Sequence, residues 1–356
     1  MKSILSKEAV KTETVNKPSA EEARAHLSQS QLIWRRFSKH RLGRLSMDVL
    51  ICFYLVAIFA EFVAPINPQT RDLKNLYCPP QIPLFSFKQG LYAHVMDRQT
   101  DPETLQHRYT RSTTQTLPLS LFAKGETYKI WGLIPLDRHL IGLDREAYSE
   151  MHGPTAEFPI VHLLGADKYG RDIFARVVYG SRISLSIGLV AIAITLLLGI
   201  SIGGISGYVG GVLDNLLQRA IEILNSFPKL PLWLALGAIL PKEWSALATY
   251  FAITIVLSML GWTQLARVVR GKILALREED YAVAAQLLGA SHGRIIFRHL
   301  LPGFTSHIIV VITLSIPNMI LGETALSFLG LGLRPPIVSW GVMLQDCMNV
   351  QAMADA

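Results

Sequence analysis

The sequence predicts an all-α polytopic membrane protein, a bundle of spanning helices interrupted by one extracytoplasmic insert. Half of its 356 residues are hydrophobic and only 17% are charged, too apolar for an ordinary soluble chain of this length. Apolar runs of bilayer-crossing length recur along it. The basic surplus, a formal net charge of +7, sits beside those runs and not in one patch with aromatics, so it reads as membrane topology rather than a nucleic-acid surface. Cys52, Cys78 and Cys347 have neither metal-ligand spacing nor the density of a disulfide scaffold, although one Cys78–Cys347 bridge stays open.

Residues 1–46 are polar and lack a secretory signal, so the first apolar segment is expected to remain as an anchor. Within them, 1–23 has the composition of a disordered tail, and 32–44 mixes bulky apolar with basic residues, as suits an interfacial elbow helix at headgroup level. The first spanning segment, 47–64, is just long enough at about 1.5 Å per residue. Arg35, Arg36, Lys39, Arg41 and Arg44 precede it and place the N-terminus in the cytoplasm. Residues 65–182 hold no spanning run and are expected outside the cytoplasm. Stretches such as Tyr128-Lys-Ile-Trp-Gly-Leu-Ile-Pro135 give this insert enough apolar content to pack as a small folded unit.

The second span, 184–208, carries Gly199, Gly203 and Gly207 on one helical face, either a packing stripe for a neighbouring helix or ordinary membrane-helix glycine. The third, 216–240, should kink at Pro228 and Pro231. Its first half presents Arg219, Glu222, Asn225 and Ser226 on one side, which either line a pathway or pair with each other and a neighbour. The fourth, 246–265, has Trp244 and Trp262 near its ends. Arg267, Arg270, Lys272 and Arg277 follow at once, so 267–302 is a cytoplasmic loop, in agreement with four crossings from an inside N-terminus. The fifth span is 304–321.

The cytoplasmic loop reads as a short helix, a break and a second helix. Glu278, Glu279 and Asp280 suit a helix N-terminus, and Gly289 supplies a left-handed stop. Ala282, Ala284, Ala285 and Leu288 make a small-residue surface that would seat in a groove of another protein. The alternative is an interfacial amphipathic helix with no partner.

Ala284-Ala285, then Gly289 after three residues, then Leu301-Pro302, resemble the signature loop of binding-protein-dependent ABC importer permeases. Val283 stands where the family's Glu usually falls and His299 where an Ile often does, which is similar to the dipeptide, oligopeptide and nickel permease branch. Three more blocks resemble that branch: Leu164-Gly-Ala-Asp-Lys-Tyr-Gly-Arg-Asp172 with Tyr179-Gly-Ser-Arg182; the Asp214, Arg219, Glu222, Pro228 pattern; and Leu326-Ser-Phe-Leu-Gly-Leu-Gly332 with Ser339-Trp-Gly341. The resemblance implies a permease core over 183–356 in the bacterial inner membrane, with five spanning helices visible and a sixth expected beyond Ala356, the alternative being a subunit of five crossings. It also implies a coupling surface for an ATPase subunit at Glu279, Asp280, Tyr281, Ala284, Ala285, Leu288, Gly289, Arg294, Arg298 and Pro302. Arg294 and Arg298 either brace the loop, touch that partner or form a solvated basic face. The 165–182 block would meet an extracytoplasmic solute-binding protein, unless Asp167, Arg171 and Asp172 are only local salt bridges. Implied partners are two ATP-hydrolysing subunits, a second and related permease chain, the binding protein and the lipid bilayer. The insert is longer than the common pattern of the branch, so the solute is not fixed by analogy.

An enzyme reading finds no support. Gly271-Lys272 is followed by Ile273 and lacks the upstream glycine of a phosphate-binding loop, and no Gly-x-Ser-x-Gly or His-Glu-x-x-His motif exists. The ten histidines lack ligand spacing, so no metal and no cofactor are expected. The rival from another class is an ion-coupled secondary carrier, which would place carboxylates at the midplane. The apolar centres of the second, fourth and fifth segments have none, and Asp48 and Glu61 lie near helix ends. A receptor with an extracytoplasmic domain would leave the cytoplasmic loop unexplained.

Overall fold

The structure is a computed structural model that describes residues 37–39, 41–87, 89–100, 107–153, 155–241 and 243–348. The expected tail at 1–23 and the start of the elbow, Arg35 and Arg36 included, lie outside the described residues. The chain divides into two units, Met1–Phe53 and Tyr54–Ala356. The described part of the first is residues 37–39, which are helical, and the start of helix α1, Arg41–Ile58, in which Leu42, Leu45, Val49 and Phe53 are exposed.

In the second unit a short helix α2, Ala60–Val63, follows a break at Phe59, so the segment expected as one span over 47–64 is interrupted. The insert then corrects the all-α expectation. It forms a four-stranded antiparallel sheet in the order β1 (Leu84–Ser86), β2 (Gly90–Thr100), β3 (His107–Ile130), β4 (Ile134–Leu143). Along β3, Leu117, Leu119 and Ala123 point inward between polar or exposed neighbours, and Leu117 and Leu119 pack with Ala93 and Val161. A period of two carries no long apolar run, which is why a search for spans passes over it. Helix α3, Arg145–His152, closes the insert and is capped by Asp144, which accepts from the Ala147 amide at 3.1 Å.

Helix α4 runs Ile173–Val209 and starts well before the expected 184. An apolar run marks where lipid is met, not where a helix ends, and here Asp172 caps the polar extension by accepting from the Ala175 amide at 2.7 Å. The expected third span is two helices, α5 (Gly211–Ser226) and α6 (Lys229–Ala238). The residue before a proline is pushed to extended backbone, and Phe227, with ψ 134°, breaks the helix ahead of Pro228. Helix α7, Ala246–Leu276, continues past 265, so Arg267 and Arg270 are helical. Helix α8 is Asp280–Leu287.

The second loop helix is not a separate element. It is the start of α9, His292–Phe328, which passes through a π-helical stretch at Ile295–Leu300 and a 3-10 turn at Leu301–Phe304. Pro302 is tolerated because it sits at the start of that turn, where an amide has no partner to lose. Helix α10, Trp340–Cys347, is capped by Ser339. Among the described residues, α4, α7 and α9 are each long and apolar enough to cross a membrane.

Helices α4 and α7 form the spine of the bundle. One apolar cluster joins Ile187, Trp233, Leu257, Leu260, Met319 and Leu326; a second joins Ile200, Leu265, Val269, Ile273, Ala282, Ala285, Ile295 and Leu300. The second includes α8, so the 267–302 loop is built onto the bundle.

Candidate functional site

Helix α8 begins at Glu279, whose backbone caps it without a side-chain bond, and Asp280 supplies the negative charge of the first turn. It ends in a Schellman motif: the Gly289 amide donates to Gln286 O at 2.9 Å and the Ala290 amide to Ala285 O at 3.1 Å. Gly289 has φ +80° and nothing within 4 Å of an added Cβ, so backbone conformation and not crowding requires glycine. The helix has two faces. Ala282 and Ala285 are buried against α7 and α9, whereas Tyr281, Val283, Ala284, Leu287 and Leu288 are exposed, the last two at 84% and 88%. The four residues expected to form one small-residue surface are therefore split, because their spacing covers more than one helical face. Arg294, Arg298 and Pro302 are exposed on the first turns of α9.

Gly199, Gly203 and Gly207 face α7. An added Cβ would meet Leu265 at 2.7 Å from Gly199, the Ala266 carbonyl from Gly203, and Arg270 O at 2.7 Å from Gly207. Arg219 and Glu222 pair with each other at 2.8 Å on the exposed side of α5, and Ser226 bonds to its own helix at Ile223 O. Asn225 accepts from Thr263 Oγ1 of α7 at 3.1 Å. None of the four lines the pocket of about 530 Å³ between α6, α7 and α9, where Lys229, Gln264, Ser315 and Asn318 stand.

Toward the start of α4, Asp167 Oδ2 accepts from Arg171 Nε at 2.7 Å and from Arg176 Nη1 at 2.6 Å, while Asp346 Oδ2 of α10 accepts from the same two arginines at 3.0 and 3.1 Å. Both arginines are buried. Asp172 caps α4 and also meets His162 Nδ1 at 3.2 Å. Cys78 and Cys347 are free thiols; burial, with Asp72 and Asp172 nearby, pushes the Cys78 thiol up to about 12.

The family described as the inner membrane component of binding-protein-dependent transport systems matches residues 199–354, and the N-terminal transmembrane domain of oligopeptide transport permease C matches 28–80. The dipeptide transport system permease protein DppC of Bacillus subtilis is 31% identical over 91% of this chain and 75% of its own length. The chain belongs to the binding-protein-dependent transport permease family. DppC of Lactococcus lactis is 30% identical over 96% of this chain and 84% of its own length. The oligopeptide transport system permease protein OppC of B. subtilis is 41% identical, over 52% of this chain and 59% of its own length. The family consists of inner-membrane transport components and not of catalytic subunits, and it favours the permease reading over an ion-coupled carrier.

In this permease several groups escaped the sequence reading. Glu323 of α9 is fully buried and accepts from Ser327 and Ser339 at 2.9 Å and from Ser184 at 3.2 Å, joining α9, α4 and the start of α10. Asp214 holds Arg270 of α7 and Ser206 of α4. Asp346 and Arg176 complete the buried ionic cluster. Some partners are near in sequence, as Ser327 is to Glu323 and Arg176 to Asp167, but Ser184, Arg270 and Asp346 lie tens to hundreds of positions from theirs, and Asp214 stood in the sequence only as part of a family pattern. The one local signal was type: an acidic residue directly after Gly322, at the end of an apolar run.

Proposed function

We propose that the chain is one permease subunit of an ATP-binding-cassette importer, forming half of a pathway for peptides or similar small solutes. In this reading the N-terminus is cytoplasmic, a binding protein delivers the solute to the 65–182 insert side, and a second, related permease supplies the other half. Two ATPase subunits drive alternating access by moving α8. The family and the names of the relatives support the class, and the single structural observation behind the coupling role is the two-faced α8. Its inner alanines are packed into the core shared by α4, α7 and α9, while its outer face is uncovered. A helix so built can receive a partner on one side and pass its displacement to the spanning helices on the other. The cavity lined by Gln264, Ser315 and Asn318 is the best candidate for the pathway wall.

The test is a cysteine at Leu287, which replaces an exposed side chain without disturbing the core, cross-linked in native membranes. Capture of an ATPase subunit from Leu287→Cys and not from a lipid-side control at Leu197→Cys is expected. Reaction at neither position, or with lipid alone, overturns the coupling assignment. In parallel, Gly289→Pro, which forbids φ +80° and deletes a bonded amide, should abolish solute-stimulated ATPase activity while the chain still inserts.

A further inference from the structure

The β3–β4 hairpin does not reach away from the helices. Midway along it, His139 Nδ1 donates to Ala64 O at 2.6 Å, and at its tip Trp131 Nε1 donates to Ile58 O at 3.0 Å, so the hairpin runs back along the chain toward the end of α1. That same Ile58 carbonyl accepts from Arg182 Nη2 at 3.1 Å, and Arg182 Nε donates to Ala57 O at 3.0 Å. The tip therefore lies level with Arg182 of α4. One and two turns further along α4 stand Leu185, between Ser184 and Ser186, and Leu189, in the helix's apolar run. Trp131, Ile58, Ala57, Tyr54, Leu185 and Leu189 together line an apolar groove of about 490 Å³.

The tip itself has an unusual sequence. Leu133 N donates to Ile130 O at 2.9 Å across a turn whose central residues, Trp131 and Gly132, have φ +50° and +72°. Asn and Gly are the residues such a turn prefers, and a bulky ring in this conformation is strained. Around it Trp131, Leu133 and Ile134 are exposed at 60%, 77% and 59%, with Lys129 exposed just behind. Water gives no reason to place three large apolar side chains at a turn of a strand pair. A bilayer boundary does: indole rings collect there with the N–H on a polar acceptor, and lysine reaches back to the headgroups.

We propose that the β3–β4 tip is a membrane-interface anchor, with Trp131, Leu133 and Ile134 bedded in the lipid leaflet that surrounds the start of α4's apolar run. The lipid surface is the continuation of one already present, because the groove beneath the tip is walled by α4, a spanning helix. The inference needs only that α4 spans the bilayer and is independent of what is transported.

The experiment uses the full chain in vesicles of phosphatidylcholine, with and without bromine on the acyl chains, and compares wild type with Trp131→Phe. The emission lost in the variant is that of Trp131. Bromolipid is expected to quench about half or more of this difference emission, and aqueous iodide little of it. Quenching by iodide and not by bromolipid overturns the proposal, and quenching by neither shows a protein cover and overturns it too. Leu133→Trp in the Trp131→Phe background restores a reporter at an exposed position, so the answer does not depend on one variant: bromolipid-quenchable emission should return.

Discussion

At the scale of one residue, His162 shows how the insert is pinned. Its ring is 1% exposed and lies between two carboxylates, Nδ1 at 3.2 Å from Asp172 and Nε2 at 3.6 Å from Asp72. Burial disfavours the imidazolium, but hydrogen bonding and charge from Asp172 and Asp72 outweigh it and hold its pKa above the ordinary 6.5. Burial also pushes Asp72 up, and His162, Asn75 and the Lys74 amide outweigh it in turn, bringing Asp72 to about 2. A raised histidine stabilises fully below its unfolded value and loses that contribution as pH rises through the folded one; a lowered carboxylate contributes above its unfolded value and loses this as pH falls through the folded one. The junction should accordingly be firmest between the two ordinary values, 3.8 and 6.5, and loosen on both sides. Limited proteolysis of the insert across pH measures this. His162→Gln should remove the alkaline loosening, and persistence of that limb in the variant assigns it elsewhere.

At the scale of elements, the glycine face of α4 sets how closely α7 approaches. Gly203 stands against the backbone of Ala266, which no rotamer change can relieve. Gly203→Leu should lower stability in detergent by about 1–3 kcal/mol or separate the helices outright. Gly271→Ala, where an added Cβ meets nothing, should leave the melting temperature unchanged or slightly raised. The contrast between the two isolates packing from helix propensity. These elements also show what a sequence exposes. The spacing of Gly199, Gly203 and Gly207, the caps of α8 and the stop at Gly289 are local, so each was legible. Pro228 announced a bend, but the separation into α5 and α6 depended on the extended backbone of Phe227. The sheet stayed hidden because strands declare themselves by alternation and partners, and the partners of β3 lie across two turns. Helix ends were misplaced wherever a polar cap carried a helix beyond its apolar run, as at Asp172.

At the scale of the molecule, an ionic cluster fastens two ends that the apolar cores leave loose. Asp167, Arg171, Arg176 and Asp346 join the approach to α4 with α10, burying two cations against two anions. Asp346→Leu leaves both arginines facing one carboxylate and should cost about 3 kcal/mol or more in thermal unfolding. Adding Arg171→Met restores the charge balance and should recover part of that loss, whereas a surface ion pair would show neither effect. The candidate site was readable in proportion to its locality: the loop that bears α8 stood out as a motif, its division into an inner and an outer face needed the bundle, and in the ionic cluster the local pair Asp167 and Arg171 was named from the sequence whereas Asp346 needed α10.

The π-helical stretch at Ile295–Leu300 bears on how α8 would act on the bundle. Such a wide turn is rare, interrupts the regular hydrogen-bond ladder of a helix, and is frequent at functional sites. In the proposed coupling, a load on Leu287 would reach α9 by two routes, along the chain through that stretch and sideways through Ala282 and Ala285, which share a core with Ile295, Ile296 and Leu300 as well as with Ile273 of α7. On that proposal a displacement of α8 would arrive at α7 and α9 together, as the shift of one shared apolar core.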